Sequence, residues 1–373
     1  MHAATFFDGE GWRDGILDVD GERMLLRDES PASDLHFPGL PRLDGVIIGG
    51  FTDHHVHLQL VVHELLREST LGRVIDLGAN PVAVAALSAA LGGVKTASES
   101  TFSGALLTPH ETTTPHATPT PHRTTTPHGT TARDEPPHRT GHRVAVEFAG
   151  AFLTPVGGYP SDRDWAPAGS VREIADTTAV ERVVSEMADA GASCIKVADN
   201  AAAGPVFHND LFRAIVETAS AHGLPVVAHA EGAGEAQRAA RLGAAWLAHA
   251  PFTERLDDGE IAAQAASLSW VSTLAIHDAD SKERATAVDN VRRFHAAGGT
   301  VLYGTDMGNG PTPVGLNPGE LAALRDAGID GIHLLRALVP QNPLDPGSVL
   351  LRLPGTDADP TLARPLTSAD LKA

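Results

Sequence analysis

From residue 143 onward the chain repeats one unit, a short apolar run rich in Val, Ile and Ala followed by a longer amphipathic stretch. A βα rhythm of this kind restricts the fold to parallel strands covered by helices. The runs that read as strands are RVAVEFAG (143–150), SCIKVA (193–198), PVVAHA (225–230), AAWLAHA (244–250), SWVSTLA (269–275) and TVLYGTD (300–306). Helices are expected over 179–191, 210–223 and 282–298, with closing glycines suited to C-caps. Upstream, DGVIIGGFTD (44–53) and LGRVIDLGAN (71–80) add two strands, which makes eight. Eight strands alternating with helices predict an α/β fold, a (β/α)8 TIM-type barrel over 44–339, although a doubly wound open sheet shares most of the pattern. Residues 1–43 break the rhythm and are expected to form a small β subdomain, joined by about 340–373, where VLLRLPG (349–355) reads as a further strand.

One segment interrupts the alternation. TPHETTTPHATPTPHRTTTPH (108–128) sets a histidine at every sixth position inside a His/Thr/Pro insertion spanning about 93–142. Histidine-rich tracts invite a metal-binding reading. Yet a hexapeptide dense in Thr and Pro cannot build a core, so an exposed, polyproline-like insertion is expected. Its position also speaks against chemistry. It falls between the helix after the second strand and the third strand, and such connections lie at the bottom of a barrel, whereas catalytic groups sit on the opposite, strand-to-helix face.

Charge and composition exclude other classes. With 47 acidic against 28 basic side chains the net charge is -19, and no basic patch stands out. Nucleic acid and anionic membrane surfaces are therefore not expected partners. The N-terminus lacks the features of a secretory signal, no apolar stretch is long enough for a membrane span, and the one cysteine, Cys194, cannot form an internal disulfide. A cytoplasmic protein is expected, acting on a small molecule and compatible with a homo-oligomer.

The chemistry is sought at strand ends. In GGFTDHHVHLQL (49–60) alternation puts His55 and His57 on one side of a strand, with His54 and Val56 toward the outer helices. Alone this pair is weak, because 19 histidines in 373 residues give roughly one such spacing by chance. Independent support comes from Lys196 in IKVA, His229 in VVAHAEG, His249 in LAHAPF and Asp306 in LYGTDMGNG, each a polar residue after an apolar run. Considered singly, His229 or His249 reads better as a hydrogen-bonded core residue. Six metal-competent groups at successive strand ends reverse that preference.

This combination resembles the amidohydrolase superfamily of metal-dependent hydrolases. GGYPSDRDWAP (157–167) and AHAEGAGEAQRAARLGAAWLAHAPF are similar to its imidazolonepropionase and prolidase-like branch. The resemblance implies a binuclear centre, with His55, His57 and Asp306 on one ion, His229 and His249 on the other, and a carboxylated Lys196 between them. An unmodified lysine is a cation and cannot hold a divalent ion. The mixed imidazole and carboxylate donors suit two zinc ions, with manganese, iron or nickel as alternatives. Asp306 is the expected general base and then acid, and the expected reaction is hydrolysis of an amide C–N bond in a cyclic amide, N-acyl compound or small peptide-like substrate. Alternatives are a lactonase or phosphotriesterase with the same centre, and a non-catalytic scaffold.

Further candidates are Tyr159 for an oxyanion, Arg163 for a substrate carboxylate unless it pairs with Asp162, and His277 for substrate contact. Asp53 reads as a residue that orients a ligand, and Cys194 as a small buried hydrophobe. Glu231 stands two positions after His229, whereas mononuclear deaminases of the superfamily carry a glutamate three positions after that histidine, which speaks against a deaminase.

Overall fold

The computed structural model describes residues 1–20, 23–28, 39–92 and 142–371. The Thr-Pro-His repeat lies outside the described residues, and with it the expectation that it is exposed. Four antiparallel or sheet-edge strands open the chain: β1 (His2–Phe7), β2 (Trp12–Asp20), β3 (Arg23–Asp28) and β4 (Arg42–Gly49). There follow β5 (Phe51–Val56), β6 (Leu71–Asp76), β7 (Ala145–Phe148), β8 (Phe152–Pro155), β9 (Val171–Ile174), β10 (Ile195–Asn200), β11 (Val226–Glu231), β12 (Trp246–Leu247), β13 (Ser269–Val271) and β14 (Thr300–Leu302). Two short strands, β15 (Leu350–Leu353) and β16 (Arg364–Pro365), close the chain. Helices α1 (Pro81–Leu91), α2 (Thr177–Asp189), α3 (Asn209–Ala221), α4 (Glu235–Arg241), α5 (Asp258–Ala265), α6 (Lys282–Ala296), α7 (Pro318–Asp326) and α8 (Gly331–Ala337) alternate with the later strands.

Both chain ends meet in one six-stranded sheet, in the order β16-β15-β4-β1-β2-β3. Its inner face buries Ala4, Phe6, Leu17, Leu26, Ile47 and Leu366. The single strand read over 44–53 is therefore two strands in different sheets. The chain leaves β4 at Gly50, whose N–H donates to Val349 C=O and whose own carbonyl accepts from Gln341, so the C-terminal segment takes the ladder bonds there.

The parallel strands form a seven-stranded sheet, β14-β13-β12-β11-β10-β8-β9, and a three-stranded one, β5-β6-β7. The expected closed ladder is thus interrupted at two places, each with a local cause. One break lies in the third strand of the series, where β7 pairs with β6 and β8 pairs with β10. Between them Gly150 adopts φ 77, and a Cβ there would lie 2.5 Å from Met187 Sδ. Only glycine fits that backbone without strain. Gly150→Ala is expected to cost on the order of 2–4 kcal/mol, from left-handed strain plus overpacking; a denaturant midpoint indistinguishable from the parent would contradict this account of the break.

At the other break the end of α8 wedges between β5 and β14. The Ala337 and Leu338 carbonyls accept from the Tyr303 and Thr52 N–H groups, which a regular ladder would have paired across the strands. Above the wedge the strands rejoin, through His54 N–H to Tyr303 C=O at 3.0 Å and His57 N–H to Met307 C=O at 2.7 Å.

Two apolar layers surround the parallel strands. Between strands and helices lie residues such as Phe51, Val74, Val183, Phe212 and Leu324. On the strands' other face Ile75, Cys194, Val227, Trp246, Val271 and Leu302 pack into a separate cluster. Three of these residues precede a polar residue on the same strand face by two positions: Cys194 before Lys196, Val227 before His229, and Val271 before Thr273. This apolar plug is the floor on which the polar groups stand. Among the described residues no helix is long and apolar enough to cross a membrane.

Candidate metal centre

All six residues read from the sequence as ligands line one small cavity: His55, His57, Lys196, His229, His249 and Asp306. The imidazoles form an arc, with ring centroids 5.2 Å apart from His57 to His55, 4.7 Å from His55 to His249 and 4.9 Å from His249 to His229. Glycines beside Asp306 let the last strand approach the first. A Cβ on Gly304 would sit 3.2 Å from the His55 backbone nitrogen, and one on Gly308 would sit 2.7 Å from the His57 carbonyl oxygen. Asp306 itself takes a left-handed φ of 54.

Hydrogen bonds decide which imidazole nitrogens are free. His55 Nδ1–H donates to Ala248 C=O at 2.8 Å, and His57 Nδ1–H donates to Gly78 C=O at 3.1 Å. A carbonyl can only accept, so in a neutral ring each Nε2 carries a lone pair. Those two Nε2 atoms lie 3.2 Å and 3.0 Å from Asp306 Oδ1, which has no hydrogen-bond donor. Three lone pairs aimed at one another repel unless a cation sits among them. A proton on His57 is one solution: burial opposes it, but the Asp306 carboxylate outweighs burial and raises the pKa overall. A divalent ion is the other, and the three ligand atoms all fall within 4.8 Å of one another.

His229 and His249 are arranged alike. His229 Nε2–H donates to the Glu231 carboxylate at 3.1 Å, which leaves Nδ1 as the ring nitrogen not engaged by Glu231. Asn200 Nδ2 holds that same Glu231 oxygen at 2.7 Å. His249 Nδ1 faces Thr273 Oγ1 at 2.9 Å, and when the neutral ring donates this bond its Nε2 carries the lone pair. Burial, reinforced by neighbouring cationic groups, holds His55 and His249 well below the ordinary histidine range, as ligands require.

Lys196 is 1% exposed, and its Nζ has no hydrogen-bond partner. Burial brings its pKa down to about 7, against the opposing charge of Asp306. A buried amine without a partner is costly as an ammonium and is nucleophilic when neutral.

The other sequence candidates fall around this cavity. Tyr159 lines it and stacks on His229 at 5.4 Å; burial and the nearby Asp306 and Glu231 charges push its phenol up to about 12. Arg163 lies 5.6 Å from the Tyr159 ring centre and pairs with Asp162 at 3.2 Å. His277 does not line the cavity; it packs on Phe252 at 4.6 Å, one ring removed from His249. His54 departs from the alternation. Four residues of β5, from Asp53 to Val56, span three of β6, from Val74 to Asp76, and this bulge sends His54 edge-on against Trp246 at 5.6 Å instead of toward the outer helices.

Sequence reasoning passed over several neighbours. Phe152 and Asn309 line the cavity, and Asn309 Nδ2 donates to Asp306 Oδ2 at 2.9 Å. Trp165 stands 6.1 Å from both Phe152 and Tyr159, packing behind these two lining rings. Its signal was a tryptophan within the loop that carries Tyr159. Asp76 accepts from Leu58 N–H and Gly78 N–H, which steadies the backbone just after His57 and the carbonyl that His57 uses.

No family model matches the sequence, and no curated protein matches it. Solved structures do match in fold. A Xaa-Pro dipeptidase with methionine bound in its active site superposes with a TM-score of 0.64 at 16% identity, over 96% of this chain and 93% of that one. The ochratoxinase of A. niger gives 0.62 at 14% identity, covering 97% and 94%. A structure described as a putative prolidase from Bifidobacterium longum gives 0.62 at 18% identity, covering 96% and 88%. The chain shares the fold of these solved structures over nearly its whole length.

Proposed function

We propose that the chain is a metal-dependent hydrolase that adds water to an amide C–N bond of a small molecule, on a (β/α)8 barrel interrupted at two seams and flanked by a small β subdomain from both chain ends. The observation that carries this reading is the convergence of the His55 and His57 Nε2 atoms on Asp306 Oδ1 in a buried cluster that calls for a cation among its ligand atoms. The partnerless Lys196 Nζ in the same cavity supports its reading as a carbamate, since only the carboxylated side chain offers oxygens to a cation. In this reading His55, His57 and Asp306 hold one ion, His229 through Nδ1 and His249 through Nε2 hold another, and Lys196, as its carbamate, lies between them. Zinc fits these donors first, with manganese, iron and nickel as alternatives. The Xaa-Pro dipeptidase and prolidase names among the solved structures of this fold favour C–N cleavage.

When bound, such ions polarise the scissile carbonyl and bring a water toward neutrality in pKa. The chain's own residues do the rest. Asp306, its Oδ2 steadied by Asn309, accepts the proton of the attacking water and returns it to the leaving amine. Tyr159 remains an O–H donor at neutral pH and is available to the developing oxyanion. Phe152 and the Tyr159 ring, both packed against Trp165, wall the cavity against bulk water.

Metal-replete protein assayed on amide, lactone and phosphotriester panels, with and without chelator, tests the reading. Amide hydrolysis abolished by chelation and restored by zinc is expected. Chelator-sensitive turnover of lactones or phosphotriesters alone would replace the proposed reaction, and inactivity of metal-loaded protein on all three panels would favour a scaffold.

A further inference from the structure

One buried carboxylate crosses the break between β5 and β14. Asp53 is fully buried, and its Oδ1 accepts from His55 N–H at 3.0 Å and from Thr305 N–H at 3.1 Å. Its Oδ2 accepts from the Thr305 hydroxyl at 2.6 Å. Asp53 thus grips the backbone of His55 and the residue beside Asp306, at the break where the α8 wedge has taken the Thr52 and Tyr303 N–H groups out of the ladder.

We infer that Asp53 is a positioning residue that, through Thr305, sets the spacing between His55 and Asp306 across the open seam. Three hydrogen bonds to one buried carboxyl group are a stiff connection. Regular ladders join neighbouring strands within each sheet; here the His54 N–H and His57 N–H bonds and the isolated Val56–Met307 bridge span the top of the seam. Losing the grip would let the 3.2 Å approach of His55 Nε2 to Asp306 Oδ1 relax without unfolding the strands. Partners of this kind typically control ligand geometry and are worth about 10- to 100-fold in metal affinity.

The inference rests on the proposed metal centre, and Co(II) tests the two separately, because its visible absorption reports ligand geometry. Thr305→Val deletes the hydroxyl at nearly constant volume, Thr305→Ser restores it, and Asp53→Asn keeps the oxygen that the two N–H groups use. Thr305→Val is expected to bind Co(II) about 10- to 100-fold more weakly with displaced absorption bands, with Thr305→Ser close to the parent and Asp53→Asn shifted in the same direction. A variant that melts earlier yet keeps parental Co(II) affinity and spectrum would reduce Asp53 to a structural clamp and overturn the inference. Should Thr305→Val not fold, Asp53→Asn decides by the same readout. Absence of Co(II) binding in the parent would instead remove the metal centre, and the inference with it.

Discussion

Lys196→Ala is expected to yield a folded protein that retains neither metal nor hydrolytic activity, a loss beyond the 10- to 100-fold that partners of ligands cost. The fold survives because the amine contributes no hydrogen bond to it. Truncation leaves a void opposite Val227, its neighbour on β11, which destabilises the protein by the cost of a large-to-small core substitution. Metal is lost because in the proposed centre the carbamate is the one group shared by both ions. The parent protein should accordingly carry an extra mass of about 44 Da, one carbon dioxide, at Lys196. Carboxylation needs the neutral amine, and burial that brings the pKa to about 7 keeps that form populated at physiological pH. Lys196→Ala with parental metal content would show that Lys196 is an ion-pairing residue only.

How far the sequence carried this picture depended on the range of the interactions concerned. His55, His57, Lys196, His229, His249 and Asp306 were legible because each ends a local apolar run, and strand geometry turns such an ending into a direction. The bulge that turns His54 was not legible, since alternation assumes one residue per step and the extra residue is set by pairing with β6. The break after β7 had a local mark, Gly150, but glycine in an apolar run does not say whether the strand bends or ends. The wedge of Ala337 and Leu338 had none, because it joins peptide groups more than thirty residues from β14 and nearly three hundred from β5. Thr273 illustrates the same limit: its left-handed φ of 43 is held by Glu320, whose carboxylate accepts from the Leu274 and Ala275 N–H groups of the same turn, and nothing in SWVSTLA announces that carboxylate.

Backbone conformation also decides which substitution at Asp306 is informative. Most residues placed at its φ of 54 would strain the chain, so an alanine variant would confuse lost chemistry with a displaced strand. Asparagine is among the few residues that tolerate this region. Asp306→Asn keeps the volume and one carbonyl oxygen, and removes only the negative charge and the capacity to take a proton. Its amide nitrogen, if turned toward the histidines, donates to an Nε2 lone pair and satisfies the cluster without a cation. Catalytic turnover is therefore expected to fall by about 10²- to 10⁴-fold, the range attributed to a positioned general base, while thermal stability is held or raised. Metal content should fall most at the His55–His57 position and remain highest at the His229–His249 position, where Asp306 is not a ligand in the proposed assignment. Turnover within tenfold of the parent in a fully loaded Asp306→Asn protein would sink the acid–base role, and would move the search for the proton acceptor to Glu231, the carboxylate hydrogen-bonded to His229 of this arc.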